Sequence, residues 1–307
     1  TNNGENWALI FLGFFLITLV LVYLVNDAIN TAGQGTLSES IKKIFLNYLQ
    51  VVSLFSVFPL RWPSELEFLF ETQGAISTVG EHLINPDCLS TITSAAELYY
   101  AKQQLYAVLP FVIVTISFAA WFIYGYRKQE PFFKKRFEPK QTTTKDKFVV
   151  TITTVLYLLY PTLCKNTFGL FDCKLVGDQV YLKIDLEEKC YVGRHNVMML
   201  VLGVGQLIVY IIGLPLVVLM FLYRNRTSLA SHVSQARYGL FYAGYKPTRF
   251  FWEAVITMRK VSVVMLAVFG PEIGPEKQAV VAILLLVICI VFEIYGDPYF
   301  EKTLKYK

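Results

Sequence analysis

Apolar positions run along the chain in blocks about as long as a bilayer core is thick, separated by shorter polar segments. Crossing about 30 Å of hydrocarbon takes roughly twenty helical residues, and four stretches meet that need clearly: Trp7 to Val25, Ala107 to Tyr126, Asn196 to Leu222 and Lys277 to Tyr295. Three more are weaker. Phe45 to Leu60 and Phe148 to Leu163 are short on their own but continue into helical flanks, and Phe250 to Phe269 is long enough but carries charges. The pattern predicts an all-α integral membrane bundle of about seven transmembrane helices in one polytopic domain over residues 1–307, with outer loops at 61–106 and 164–195.

Composition sharpens this. Hydrophobic residues make up 55% and charged ones only 17%, where soluble domains carry about a quarter charged, so an ordinary soluble enzyme is the wrong default. The net charge of +5 forms no stripe that would suit nucleic acid, and no nucleic-acid partner is expected. Its use is topological: the segments after the first, third, fifth and seventh spans hold eighteen Lys and Arg, the opposite set seven. Positive residues favour the inner side, so the N-terminus is expected outside and the C-terminus in the cytoplasm. The first span has neither a basic start nor a small-residue cleavage site, so it does not read as a signal peptide. An N-terminus delivered outside without an export signal implies a missing N-terminal ectodomain.

Cys88, Cys164, Cys173 and Cys190 fall in predicted outer loops, where disulfides persist. Between Cys173 and Cys190, Val180, Leu182, Ile184 and Leu186 alternate with polar residues after a Gly177-Asp178 turn, which predicts a small hairpin closed by a Cys173–Cys190 disulfide. Cys88 with Cys164 is the weaker remaining pair.

Catalytic and metal chemistry finds little support. His82, His195 and His232 are scattered with no second ligand at metal spacing, Gly203-Val204-Gly205 lacks both a third glycine and a preceding strand, and no nucleophile motif is present. Neither an enzyme nor a cofactor nor a metal is expected. The chemically expensive feature is the sixth span. If the membrane began after Lys260, the nine residues before Gly270 would reach only about 13 Å, so Arg259 and Lys260 cannot be a flank. They need partners. Glu253 lies two turns from Lys260, and Glu293 on an antiparallel seventh span falls at similar depth. The four residues form either an ion or lipid path or a buried network fixing helix register, and both readings stay open. Pro215 in the fifth span frees a backbone carbonyl that could kink the helix or line a cavity. Lys134, Lys135 and Arg136, beside Pro131-Phe132-Phe133, make a basic cluster suited to anionic lipid headgroups.

The inner loop Arg237-Tyr238-Gly239-Leu240-Phe241-Tyr242-Ala243-Gly244-Tyr245-Lys246-Pro247, followed by Phe251-Trp252-Glu253 and Arg259-Lys260, resembles the TRP-like polytopic transmembrane region of algal and protist proteins. That region is often preceded by Cys-rich ephrin-receptor-like repeats. Leu49-Gln50-Val51-Val52-Ser53, Phe58-Pro59, Trp62-Pro63, Asp87-Cys88-Leu89 and Phe171-Asp172-Cys173 extend the likeness over most of the chain. The resemblance implies a cation channel subunit with a path among the last three helices, membrane lipids and further subunits as partners, and a plasma or ciliary membrane as location. One feature departs from it: a TRP-type pore helix and filter do not fit in the seven residues from Gly270 to Glu276. The alternative is a non-conducting seven-span receptor or membrane anchor for a Cys-rich ectodomain.

Overall fold

A computed structural model describes residues 21–30, 37–55, 58, 63–64, 94–128, 143–229 and 231–299. Most of the first predicted span, the Lys134, Lys135 and Arg136 cluster, and Cys88 lie outside the described residues.

The helices are α1 (Leu37–Phe55), α2 (Ala95–Lys128), α3 (Thr144–Gly169), α4 (Gly193–Arg224), α5 (His232–Tyr242), α6 (Trp252–Phe269) and α7 (Pro275–Gly296). Among the described residues five helices, α2, α3, α4, α6 and α7, are long and apolar enough to cross a bilayer. The chain is by that measure an integral membrane protein. The second predicted span is displaced: it was expected over 45–60, but α1 covers Leu37–Phe55. The reason is Lys43, which looked like a flank and instead sits buried inside the helix.

Helix α3 is the centre of the bundle and packs against α2, α4, α5 and α6. Its start is fixed locally. The Thr143 side chain accepts from the Asp146 N–H while Asp146 accepts from the Thr143 N–H, a reciprocal cap, and the same buried carboxylate pairs with Arg237 of α5. Leu54 of α1, Tyr160, Cys164 and Phe168 of α3, Ile211 of α4, and Val263 and Val264 of α6 make the main core cluster.

Three of these helices contain an internal proline, which removes a backbone donor and would leave a carbonyl orphaned in hydrocarbon. Two of these carbonyls are answered from another helix. Pro161 frees the Tyr157 carbonyl, which accepts from Gln50 Nε2 of α1 at 3.2 Å. Pro215 frees the Ile211 carbonyl, which accepts from the Tyr160 hydroxyl at 2.9 Å; the turns just before it, Met199–Val204 and Leu207–Gly213, are wound as π-helix. Beside Pro110 of α2, the Ala107 carbonyl accepts from the Tyr210 hydroxyl at 2.7 Å.

The predicted hairpin is larger than expected. Strands β1 (Cys173–Val176), β2 (Gln179–Leu182) and β3 (Asp185–Lys189) form an antiparallel three-stranded meander, with Gly177 supplying the positive φ of the first turn. A second turn at Lys183-Ile184 divides the alternating run into two strands. The meander also explains why α2 starts twelve residues before the predicted 107: Asp185 Oδ2 accepts the Ala96 N–H at 2.8 Å and caps the helix from outside it. Tyr100 hydrogen-bonds Glu188, and Leu182 and Cys190 pack on Ala96 and Leu170. At its other side, Lys183 pairs with Asp172 at 3.1 Å and reaches Glu272 in the α6–α7 connection at 3.7 Å.

A disulfide joins Cys173 to Cys190. The weaker pairing is corrected: Cys164 carries a free thiol, because α3 continues past the predicted 163 to Gly169 and places Cys164 in the bundle core rather than in an outer loop.

Non-reduced peptide mapping should return the Cys173–Cys190 link, with Cys164 alkylated only after unfolding. Replacing both partners with Ser should cost about 3 kcal/mol, the chain-entropy value for a loop of this size. Alkylation of Cys173 in the native protein would contradict the fold of the meander.

Candidate functional site

The charged residues singled out in the sixth span meet as two separate groups. Arg259 and Lys260 are adjacent in α6 and therefore point about 100° apart around it. Lys260 faces inward: its Nζ lies 3.9 Å from Glu253 Oε1 and 4.2 Å from the centre of the Tyr157 ring. Arg259 turns toward α7, with Nη1 3.6 Å from Glu293 Oε1. The first group is sealed, Lys260 and Glu253 side chains being 2% and 5% exposed, while Arg259 and Glu293 are 23% and 27% exposed.

Sequence reasoning missed three partners of the sealed group. Lys43 Nζ of α1 lies 3.1 Å from Glu253 Oε2 and 4.0 Å from the face of Tyr245. The Tyr245 hydroxyl donates to Glu253 Oε2 at 2.8 Å, and burial together with the neighbouring carboxylate holds that phenol well above its ordinary pKa, so it stays a donor. Tyr157 lies under Lys260, and its hydroxyl donates to Asn47 Oδ1 of α1 at 2.7 Å. A signal for α1 was present. Lys43, Asn47 and Gln50 recur at i, i+4 and i+7 and are all buried, whereas Ile41, Ile44, Phe45 and Tyr48 cover the exposed side. In hydrocarbon an amphipathic helix turns its polar stripe inward, the reverse of its habit in water.

The end of α7 is fastened over this group. Tyr245 and Tyr299 form an antiparallel bridge, the Lys246 N–H donates to the Pro298 carbonyl at 2.7 Å, and Lys246 pairs with Asp297. A side chain at Gly296 would overlap the Trp252 ring, so glycine there sets the approach of α7 to α6.

Beside the sealed charges is a cavity of about 320 Å³ between α3, α4, α5 and α6. Pro215, Val218, Leu222 and Phe241 are among its apolar walls; Tyr157, Thr257, Glu253 and Lys260 give it one polar end.

At the meander end of the bundle, Cys173, Cys190 and His195 converge within 4.8 Å. The two sulfurs are spent on their disulfide, and His195 is satisfied by protein: Nδ1 accepts the Tyr191 N–H at 3.1 Å and Nε2 faces the Leu170 carbonyl at 3.2 Å. This histidine ties the meander to the end of α3 and the start of α4. The cluster Lys134, Lys135 and Arg136 lies outside the described residues.

Glu253→Gln should cost about 3 to 5 kcal/mol in thermal or denaturant unfolding, because it leaves buried ammonium groups uncompensated. Combining it with Lys260→Met should recover part of that loss. Strict additivity of the two changes would mean that the groups do not interact. Gly296→Leu should lower the melting temperature without touching any charge.

No protein-family model matches the chain, and no solved structure matches it. It is similar to Cysteine repeat modular protein A of Toxoplasma gondii, 22% identical over 358 residues. The match takes in 95% of this chain but 11% of that protein, so the chain spans about a tenth of the relative's length.

Proposed function

We propose that this chain is the membrane-embedded part of a larger Cys-rich protein, a closed helical bundle that anchors outer modules and presents basic loops at the cytoplasmic face. The observation carrying this reading is the sealed state of Lys43, Glu253 and Lys260. Three charges from α1 and α6 are enclosed at 2–5% exposure between two tyrosine rings, the arrangement of a device that fixes helix register rather than of residues lining a hydrated path. The likeness to a cysteine-repeat modular protein supports the same assignment, since the matched stretch makes up only 11% of that far longer protein. The disulfide-bonded meander, on the face expected outside, suits a membrane reached through an oxidising compartment, a plasma or ciliary membrane.

The channel reading has one observation in its favour. Arg259 and Glu293 are half-buried at the border of α7, whose Val280, Ile283, Leu284, Val287 and Ile288 are exposed, so a cation path would have to form between chains along α7. Between α6 and α7 there is no room for a filter: only Gly270–Ile273 and Gly274 separate them.

Two measurements test these readings. The purified chain in planar bilayers should give no unitary currents; cation currents abolished by Glu293→Gln would replace the anchor with the channel. Asn225-Arg226-Thr227, at the end of α4 opposite the disulfide, should carry no glycan in a glycosylating host. A glycan on Asn225 would invert the orientation and remove the cytoplasmic role of the basic loops.

A further inference from the structure

The cavity between α3, α4, α5 and α6 is built like a ligand site rather than a packing flaw. Its volume of about 320 Å³ falls at the low end of small-molecule pockets, and its walls are almost wholly apolar except at one end. At that end Glu253 Oε1, on a side chain 5% exposed, has no hydrogen-bond partner among the described residues. Lys260 Nζ lies 3.9 Å away, beyond hydrogen-bond range, and its other contact is the face of Tyr157. An acceptor and a donor thus stand side by side with neither satisfied by the other. Such a pair is costly in a dry interior, and a single polar atom entering from the cavity can hydrogen-bond to both.

The ligand chemistry follows from that pairing. The atom must donate to Glu253 Oε1 and accept from Lys260 Nζ, which a hydroxyl does and an ether or hydrocarbon does not. A carboxylate could accept from Lys260 but would face Glu253 as a like charge. Behind the head, Pro215, Val218 and Leu222 of α4 and Phe241 of α5 supply an apolar channel for an alkyl or ring body. We infer that this cavity binds a lipid with a hydroxyl head and an apolar body, held at the α4–α6 contact with its head between Glu253 and Lys260. This goes beyond the anchor reading and does not depend on it.

The test uses the full chain in phosphatidylcholine nanodiscs and a hexadecanol carrying a diazirine in its alkyl chain. Photolabelling should fall on peptides spanning 214–222 and 253–260. A tenfold excess of hexadecanol should suppress it at least fivefold, while hexadecane and palmitate leave it within a factor of two. Ala254→Phe, which fills the cavity without altering a charge, should lower labelling at least tenfold with an unchanged elution profile; Val218→Phe does the same from the opposite wall. Label spread along the lipid-facing side of α7, equal competition by hexadecane, stronger competition by palmitate, or labelling indifferent to Ala254→Phe would each overturn the proposal. Competition among the three alkyl compounds needs no variant and decides the head chemistry even if neither substitution folds.

Discussion

A polar group placed in hydrocarbon must find its partner inside the protein, and the bundle is organised by that demand more than by apolar packing. Tyr157 meets it four ways. Its carbonyl, released by Pro161, takes the Gln50 amide; its hydroxyl reaches Asn47; its ring lies under the Lys260 ammonium; and its edge meets Phe241 of α5. One α3 residue therefore ties α1, α5 and α6 to the central helix. Apolar side chains are poor at fixing such positions in a membrane, because lipid solvates them as well as a neighbouring helix does. Directional bonds to carbonyls freed by proline, and the sharing of Glu253 between two ammonium groups, specify rotation and depth in a way that leucine packing cannot.

The end of the bundle that carries the meander works by a different rule. There a compact sheet, a disulfide and a neutral histidine replace intramembrane pairing. Asp185 caps α2 from the meander, and Arg194, at the start of α4, reaches both Glu188 and Glu97. These exposed pairs add little individually. Their effect comes from being attached to a cross-linked sheet whose Leu182 and Cys190 are buried against α2 and α3. The meander acts as a lid holding three helix ends in register, and its Lys183 contacts reach a fourth point at the α6–α7 turn.

Much of this was legible in the chain, and the parts that were not share a cause. Three of the five long apolar helices follow clearly from hydropathy and the other two from its weaker spans, and the Cys173 to Cys190 segment announced a disulfide-closed β element through its alternation and its Gly-Asp turn. Glu253, Arg259, Lys260 and Glu293 were visible as charges that a membrane helix cannot carry unpaired. What hydropathy hides is a buried polar face. Lys42-Lys43 resembled a loop flank, so the start of α1 was placed too late and its inward stripe of Lys43, Asn47 and Gln50 went unread. Cys164 was assigned to a loop for the related reason that α3 runs on past its apolar block, held by Thr167, whose hydroxyl bonds back to Leu163 and to Gln206. In both helices the polar residues that ended the predicted span are the ones that pair across the bundle.

The two halves of the charge cluster also differ in a way that bears on what the bundle can do. Lys260 and Glu253 are held from three elements: by Tyr157 from α3, by Lys43 from α1, and by Tyr245 from the α5–α6 connection, itself bridged to Tyr299 beyond α7. Moving any of these elements would separate a buried ion pair, so α1, the start of α6 and the end of α7 are expected to move together or not at all. Arg259 and Glu293 carry no such constraint, lying at the edge of the bundle where α7 has most of its apolar surface uncovered. The two pairs are thus set apart by burial, the first enclosed among three elements at 2% and 5% exposure and the second at 23% and 27% on the border of α7.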